Sequence, residues 1–379
     1  MRYKLMNYIL TTITAISINS CINAEAPKEK LLSKMQETVS LGNILYGHHD
    51  TYLYGHSGWK MCTADTIPDS DVYQVCGKFP AVFSSDLGMI ESENDINLDN
   101  NPFTLIRSAA IRHYNKGGIV TFSWHPSNPV TKGNSWDVKT CSKVQNIVKE
   151  CLPGGSCHTE IMKWLDNVAD FFESLKDKDG EMISFIFRPW HENTGNWFWW
   201  GLPYCSTEEY KKLWEMTYNY MVYDRGLTEI VWAYSPGNNC TEKDFMSRYP
   251  GDEMVDIIGF DSYEYTDNNI SDYNTRIKSA NEEYIKSVRF QMEYVSRIAF
   301  EHGKILALTE CGFESVPYPQ WWTEVLYEAI KGFPVAYVLS WRNACDNPSH
   351  FYGPWKGSVS EDDFKKFSQF KNILFLEDL

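Results

Sequence analysis

Ile183-Ser184-Phe185-Ile186-Phe187 is almost wholly apolar on both of its alternating residue sets. A half-solvated strand alternates apolar with polar side chains, whereas a parallel strand covered on both faces does not. Val255-Asp256-Ile257-Ile258-Gly259-Phe260 has the same character, and six more strand-like runs lie at Asn43–Gly47, Ala81–Ser85, Gly118–Ser123, Glu229–Tyr234, Lys304–Thr309 and Val335–Ser340. Helical stretches separate them. Glu160–Lys176 places Ile161, Leu165, Val168, Phe172 and Leu175 on one stripe. Ser206 opens a helix running to about Tyr223, where Arg225-Gly226 stops it. Asn274–Glu301 reads as one long helix or a pair, and Trp321–Lys331 as the next. This alternation predicts a single (β/α)8 TIM barrel with elaborated βα loops. A doubly wound sheet would carry a Gly-rich phosphate loop after its first strand, and the sequence has none there. The long interval from Ser123 to Ile183 reads as an elaborated loop on the barrel's top face.

The composition fits that architecture. Of 379 residues, 43% are hydrophobic and 22% charged, enough apolar surface for a large core and too much for disorder. The net charge of −15 disfavours nucleic acids, anionic membranes and acidic polysaccharides as partners. The 14 Trp, 23 Tyr and 20 Phe serve either the core or the flat C–H faces of sugar rings, and their number alone does not separate the two uses.

Residues 1–20 read as a bacterial signal peptide: a basic start at Arg2 and Lys4, then an apolar stretch too short to span a bilayer. It ends in Ile18-Asn19-Ser20-Cys21, which resembles a lipobox with Cys21 as the lipidated residue; cleavage near Ala24 is the alternative. The expected organisation is a signal peptide at 1–20, an anchor segment and first helix at 21–40, and a catalytic domain at 41–379. The predicted location is outside the cytoplasm, as a membrane-anchored lipoprotein in the periplasm or on the cell surface. Export permits disulfides, and Cys62 with Cys76 and Cys151 with Cys157 are the closest pairs in sequence.

In a TIM barrel the residues at the C-terminal ends of the strands line the active site. Here these are His48, His49, Asp86, His125, His191, Glu192, Ser235, Asp261, Tyr263, Glu310, Trp341 and Arg342. Two rim carboxylates, Glu192 and Glu310, have the placement needed to flank a glycosidic bond, one as acid/base and the other as nucleophile. Trp190, Trp197, Phe198, Trp199 and Trp200 crowd Glu192, which favours its protonated form, while Tyr263 and Arg342 are the donors available to Glu310. His191-Glu192 does not begin a zinc-protease motif, because Gly195 stands where the second His belongs. His48 and His49 point to opposite faces of a strand and do not chelate together. Trp59 and Trp136 read either as sugar platforms or as loop packing; Tyr218, Tyr220, Trp321 and Trp322 read as core or surface.

Phe187-Arg188-Pro189-Trp190-His191-Glu192-Asn193-Thr194-Gly195-Asn196-Trp197-Phe198-Trp199-Trp200-Gly201 resembles the acid/base motif of family 26 glycoside hydrolases, whose best-known members are β-mannanases. Ser123-Trp124-His125-Pro126, Gly259-Phe260-Asp261-Ser262-Tyr263, Leu308-Thr309-Glu310-Cys311-Gly312 and Leu339-Ser340-Trp341-Arg342 are similar to that family too, in the same order. The resemblance implies Glu192 as general acid/base and Glu310 as nucleophile. It implies that His191 orients the acid, Tyr263 donates to the nucleophile, and Asp261 lies near it. Trp341 becomes the platform at the cleavage point, Arg342 a contact to the next sugar on the non-reducing side, and His125 and Trp197 further walls. Cys311 departs from the pattern without an evident role.

The implied activity is retaining hydrolysis of β-1,4-mannosidic linkages in mannan, galactomannan or glucomannan by double displacement. No metal and no cofactor are expected. The expected partners are a β-mannan polysaccharide or oligosaccharide and a membrane through a lipid anchor only; the chain is expected to be a monomer. A same-family β-1,3-1,4-glucanase or β-xylanase is the nearest alternative, and a non-catalytic lipid-anchored glycan-binding protein the alternative of another class.

Overall fold

The computed structural model describes residues 25–66, 69–139, 141, 146–238 and 240–379. The signal peptide expected at 1–20 and the lipidation expected at Cys21 lie outside the described residues. Eight parallel strands follow one another: β1 (Ile44–His49), β2 (Val82–Asp86), β3 (Ile119–Ser123), β4 (Phe185–Arg188), β5 (Ile230–Tyr234), β6 (Ile257–Glu264), β7 (Ile305–Phe313) and β8 (Val335–Ser340). Each pairs with its successor, and β1 pairs with both β2 and β8, so the sheet closes on itself. With helices between the strands, this is a (β/α)8 barrel. A short β9 (Ile373–Leu374) also joins β1.

Every expected strand is present, but β6 and β7 run past their expected ends at Phe260 and Thr309. The polar residues there look like loop, yet Asp261 pairs with Glu310, Ser262 with Cys311 and Tyr263 with Gly312, after a register shift between Phe260 and Asp261. Three of the predicted site residues therefore sit on rigid backbone.

Leu45, Val82, Ile119, Ile186, Val231, Ile257, Ala307 and Leu339 fill the barrel interior in one buried cluster. Leu31 and Met35 of the helix Pro27–Ser40 belong to the same cluster, so this helix packs against the strands as part of the core. Each buried Val, Leu, Ile or Met among them contributes roughly 1.5–3 kcal/mol. The outer shell follows the predicted stripes. The helix His158–Glu173 buries Ile161, Leu165, Val168 and Phe172, and Ser206 and Glu209 form a capping box on Thr207–Asn219. Tyr273–Glu301 is one helix rather than a pair, capped by Asp272. The expected helix at Trp321 begins with a π-helical segment, Trp321–Leu326. Both adjacent indoles are buried there, donating to Glu264 and Ser360.

The cysteine pairing does not occur: all nine described cysteines are free. Cys62 is exposed and turns to its own loop at Lys60, while Cys76 turns to Lys78. Cys151 and Cys157 are both buried, with the Cys157 thiol directed at the Pro129 carbonyl. Among the described residues no helix is long and apolar enough to cross a membrane.

Candidate active site

β4 ends at Arg188, and the next four residues make a strained turn. Trp190 and Glu192 have φ values of 50° and 52°, a region non-glycine residues avoid at a cost of about 1–3 kcal/mol each. The surroundings over-determine this turn. The Glu192 amide donates to the Ser235 carbonyl at 2.8 Å, Trp200 donates to the His191 carbonyl at 2.7 Å, and Tyr210 donates to the Trp190 carbonyl at 2.8 Å. Trp190 itself donates to Thr217 at 3.0 Å. Three of these anchors are hydrogen bonds of buried aromatic side chains. The result turns the Glu192 carboxyl into a cavity of about 320 Å³ at the C-terminal end of the barrel.

The same cavity is lined by His125, Trp197, Tyr263, Glu310 and Trp341, and also by Trp136. With Glu192 and Phe198, eight residues singled out from the sequence thus face one space. His191 and Asp261 are buried and make contacts of the site rather than line the cavity. Arg342 departs from its expected part as a donor to Glu310. Its Nε pairs with Asp99 at 3.0 Å and its guanidinium donates to the Tyr54 hydroxyl at 3.2 Å, because the buried carboxyl of Asp99 claims the charge.

The second donor to Glu310 is instead Arg188. The Tyr263 hydroxyl donates to Glu310 Oε2 at 2.6 Å and Arg188 donates to Oε1. Arg188 also reaches Asp261 Oδ2 at 2.6 Å and Ser235 at 2.9 Å, and Thr309 donates to the other Asp261 oxygen at 2.7 Å. Burial pushes the Asp261 carboxyl upward in proton affinity, with Arg188 pulling the other way. His191, Asp261 and Glu310 bring possible ligand atoms together, as do His49, Asp50 and Asp99. In each group an arginine, Arg188 or Arg342, already supplies the positive charge to a carboxyl.

Glu192 has a different environment. Among the described residues its side-chain donor is the indole of Trp197. Burial, then the charge of Glu310, pushes its carboxyl up to about 7, against the opposing pull of Trp197. Behind it runs a chain of rings. His125 Nδ1 lies 2.7 Å from Asp86 Oδ2, and His125 Nε2 lies 3.0 Å from His191 Nε2. Burial opposes a charge on His125, but Asp86 outweighs it and lifts the imidazole above its ordinary value. Burial and the charge of Arg188 hold His191 well below that value.

The loops finish the walls. Trp136 stacks on His125 with ring centres 5.3 Å apart and planes 13° apart, and it is 48% exposed, so it belongs to the cavity. Trp59 is loop packing, its indole donating to Asp71 at 3.0 Å. Trp341 is backed by His49, stacked at 4.0 Å. His49 is thus a support for Trp341 and His48 is buried away from the cavity, as the strand alternation predicts. Tyr265 and Tyr352 also line the cavity; both stand on loops with no distinguishing sequence signal.

The sequence profile of Glycosyl hydrolase family 26 matches residues 22–322. A mannan endo-1,4-beta-mannosidase of Bifidobacterium adolescentis is 32% identical over 96% of this chain and 36% of its own length. One of Bacillus subtilis strain 168 is 29% identical over 55% of this chain and 56% of its own. The chain therefore spans between about a third and three fifths of the length of these curated relatives. Among solved structures, a GH26 beta-mannanase from Bacteroides ovatus superposes with a TM-score of 0.84 at 40% identity, covering 93% of this chain and 96% of that one. A Cellulomonas fimi endo-beta-1,4-mannanase double mutant gives 0.79 at 32%, covering 94% and 77%. A family match over most of the chain, with the same barrel, carries one conclusion: this chain belongs to glycosyl hydrolase family 26.

Proposed function

We propose that the protein is a retaining endo-β-1,4-mannanase acting by double displacement. The observation that carries the reading is the contrast between two carboxyl groups of one cavity. Glu310 takes hydrogen bonds from Arg188 and Tyr263, as a nucleophile needs. Glu192 takes an indole donor, single among the described residues, and has a proton affinity raised to about 7, as a general acid needs. The family membership and the relatives' printed activities support the same substrate class.

In the first step a Glu310 oxygen bonds to the anomeric carbon while the glycosidic oxygen leaves with the proton of Glu192. Glu192, now charged, then takes a proton from water, whose oxygen displaces Glu310 and restores both residues. Asp261 holds Arg188 in place for Glu310, and Trp200, donating to the His191 carbonyl, fixes the backbone turn that presents Glu192. Trp341 and Trp136 offer ring faces to the pyranoses, and Arg342 with Asp99 lies beside Trp341 for a neighbouring sugar. On this reading the protein works as a monomer, exported and held at the periplasmic or outer surface by a lipid on Cys21. Labelled palmitate should enter the full chain and be absent from Cys21→Ala.

The test is hydrolysis of mannan, lichenan and xylan side by side, with Glu310→Ala and Glu192→Ala as controls. Mannan should be preferred, and each variant should lose several orders of magnitude while remaining folded. Preference for lichenan or xylan, or near-full activity in either variant, would overturn the proposal.

A further inference from the structure

The catalytic cavity does not end at its rim. Tyr263 and Tyr265 line both that cavity and a smaller one of about 170 Å³. The smaller one shares Glu283 and Ser287 with a third, of about 520 Å³, along the flank of the helix Tyr273–Glu301. Through these shared residues the three spaces adjoin one another, leading from the cleft over the rim and along the outside of the barrel.

Its lining has a consistent chemistry. Tyr265 is 79% exposed, so its ring is open to solvent. The side chain lines both the catalytic cavity and the smaller space, so it bridges the cleft and the path. At the far end Phe290 is 65% exposed, its ring centre 6.0 Å from that of the buried Tyr294. One exposed phenylalanine is ordinary, but this one closes a path that begins at the catalytic carboxyls. Glu283 and Glu293 beside it are carboxylates able to accept hydrogen bonds from hydroxyl groups, and Lys286 stands 3.4 Å from Glu283. Open ring faces with acceptors between them suit a neutral polyhydroxylated chain and disfavour an anionic one.

We infer that this path binds a further stretch of the polysaccharide that occupies the cleft, a neutral β-linked glycan, with Tyr265 at its entrance and Phe290 at its outer end. The inference rests on the mannanase reading for the identity of the sugar.

Phe290→Ala and Phe290→Trp test it, because Phe290 is outside the catalytic cavity. Two readouts are compared: kcat/KM on soluble galactomannan against mannotetraose, and retardation in galactomannan-containing native gels with Glu310→Gln added to block turnover. Phe290→Ala should lose about three- to tenfold on the polymer in both, the worth of one aromatic contact. Mannotetraose hydrolysis should stay unchanged, which also shows that the variant folds, and Phe290→Trp should restore polymer binding. Polymer affinity equal to the parent protein, or an equal loss on mannotetraose, overturns the path. An unsubstituted enzyme that cuts neither substrate overturns the mannanase reading instead.

Discussion

Nε2 of His125 faces Nε2 of His191 at 3.0 Å, so one imidazole must donate and the other accept. Asp86 decides which. Its carboxyl takes Ser123, the Gly88 amide and His125 Nδ1, and the affinity of His125 for a proton rises while that of His191 falls. His125 therefore donates, and neutral His191 accepts beside Glu192. Asp86→Asn leaves the shape but removes the charge. It should lower kcat/KM on mannan by about one to two orders of magnitude, with the steepest loss toward alkaline pH, because without the Asp86 charge His125 holds its proton less tightly. A pH profile indistinguishable from the parent enzyme's would show that the ring chain has no part in catalysis.

The proton on Glu192 gives a second prediction. As general acid it must be protonated, and its carboxyl is pushed up to about 7, so kcat/KM should fall as pH rises through that value. Trp197 favours the charged form, hence Trp197→Phe should move the alkaline limb to higher pH. Glu310 disfavours it, hence Glu310→Gln should lower the Glu192 value in a direct titration by NMR or infrared. The sign carries over to stability. A carboxyl whose folded value lies above its unfolded value costs stability as pH climbs through that window. Above pH 7, Glu192→Gln should therefore melt higher than the parent protein, and a lower melting temperature there would contradict the assigned environment.

Arg188 pairs with two buried carboxyl groups at once. Arg188→Ala would leave both without their counter-charge and should destabilise the fold by about 3–5 kcal/mol, read by denaturant unfolding. Arg188→Lys retains charge but not the forked geometry, so it should keep most of the stability and lose most of the activity. Equal activity in the lysine variant would mean that charge alone, and not the fork, supports Glu310.

Trp136 separates a sugar platform from mere loop packing. It is 48% exposed and stacked on His125 at the cavity wall. Trp136→Ala should reduce kcat/KM by about three- to tenfold and leave the melting temperature unchanged. A lowered melting temperature with normal kinetics would return it to loop packing.

The barrel was legible because parallel strands wrapped on both sides are apolar throughout, as in β4 and the first half of β6. The upper half of β6 was not, since Asp261-Ser262-Tyr263 carries a loop-like composition and only its pairing with β7 reveals a strand. Glu192 and Glu310 were visible as carboxylates closing apolar runs. Arg188 stood in the same quoted motif and went unassigned, although an arginine ending a buried strand signals an ion pair inside. The sequence does not show that Arg342 pairs with Asp99 rather than Glu310, because Asp99 lies in an aperiodic loop far away along the chain. The left-handed backbone at Trp190 and Glu192 left no trace, because neither is a glycine.

The central claim is that Glu310 bonds covalently to the sugar. A 2-deoxy-2-fluoro-mannosyl donor with an activated leaving group slows the second step and should trap that bond. Peptide mass spectrometry should then find one sugar on the peptide bearing Glu310, and NMR of early products from natural substrate should show retained configuration. A label on any other residue, or inverted product, would contradict the account.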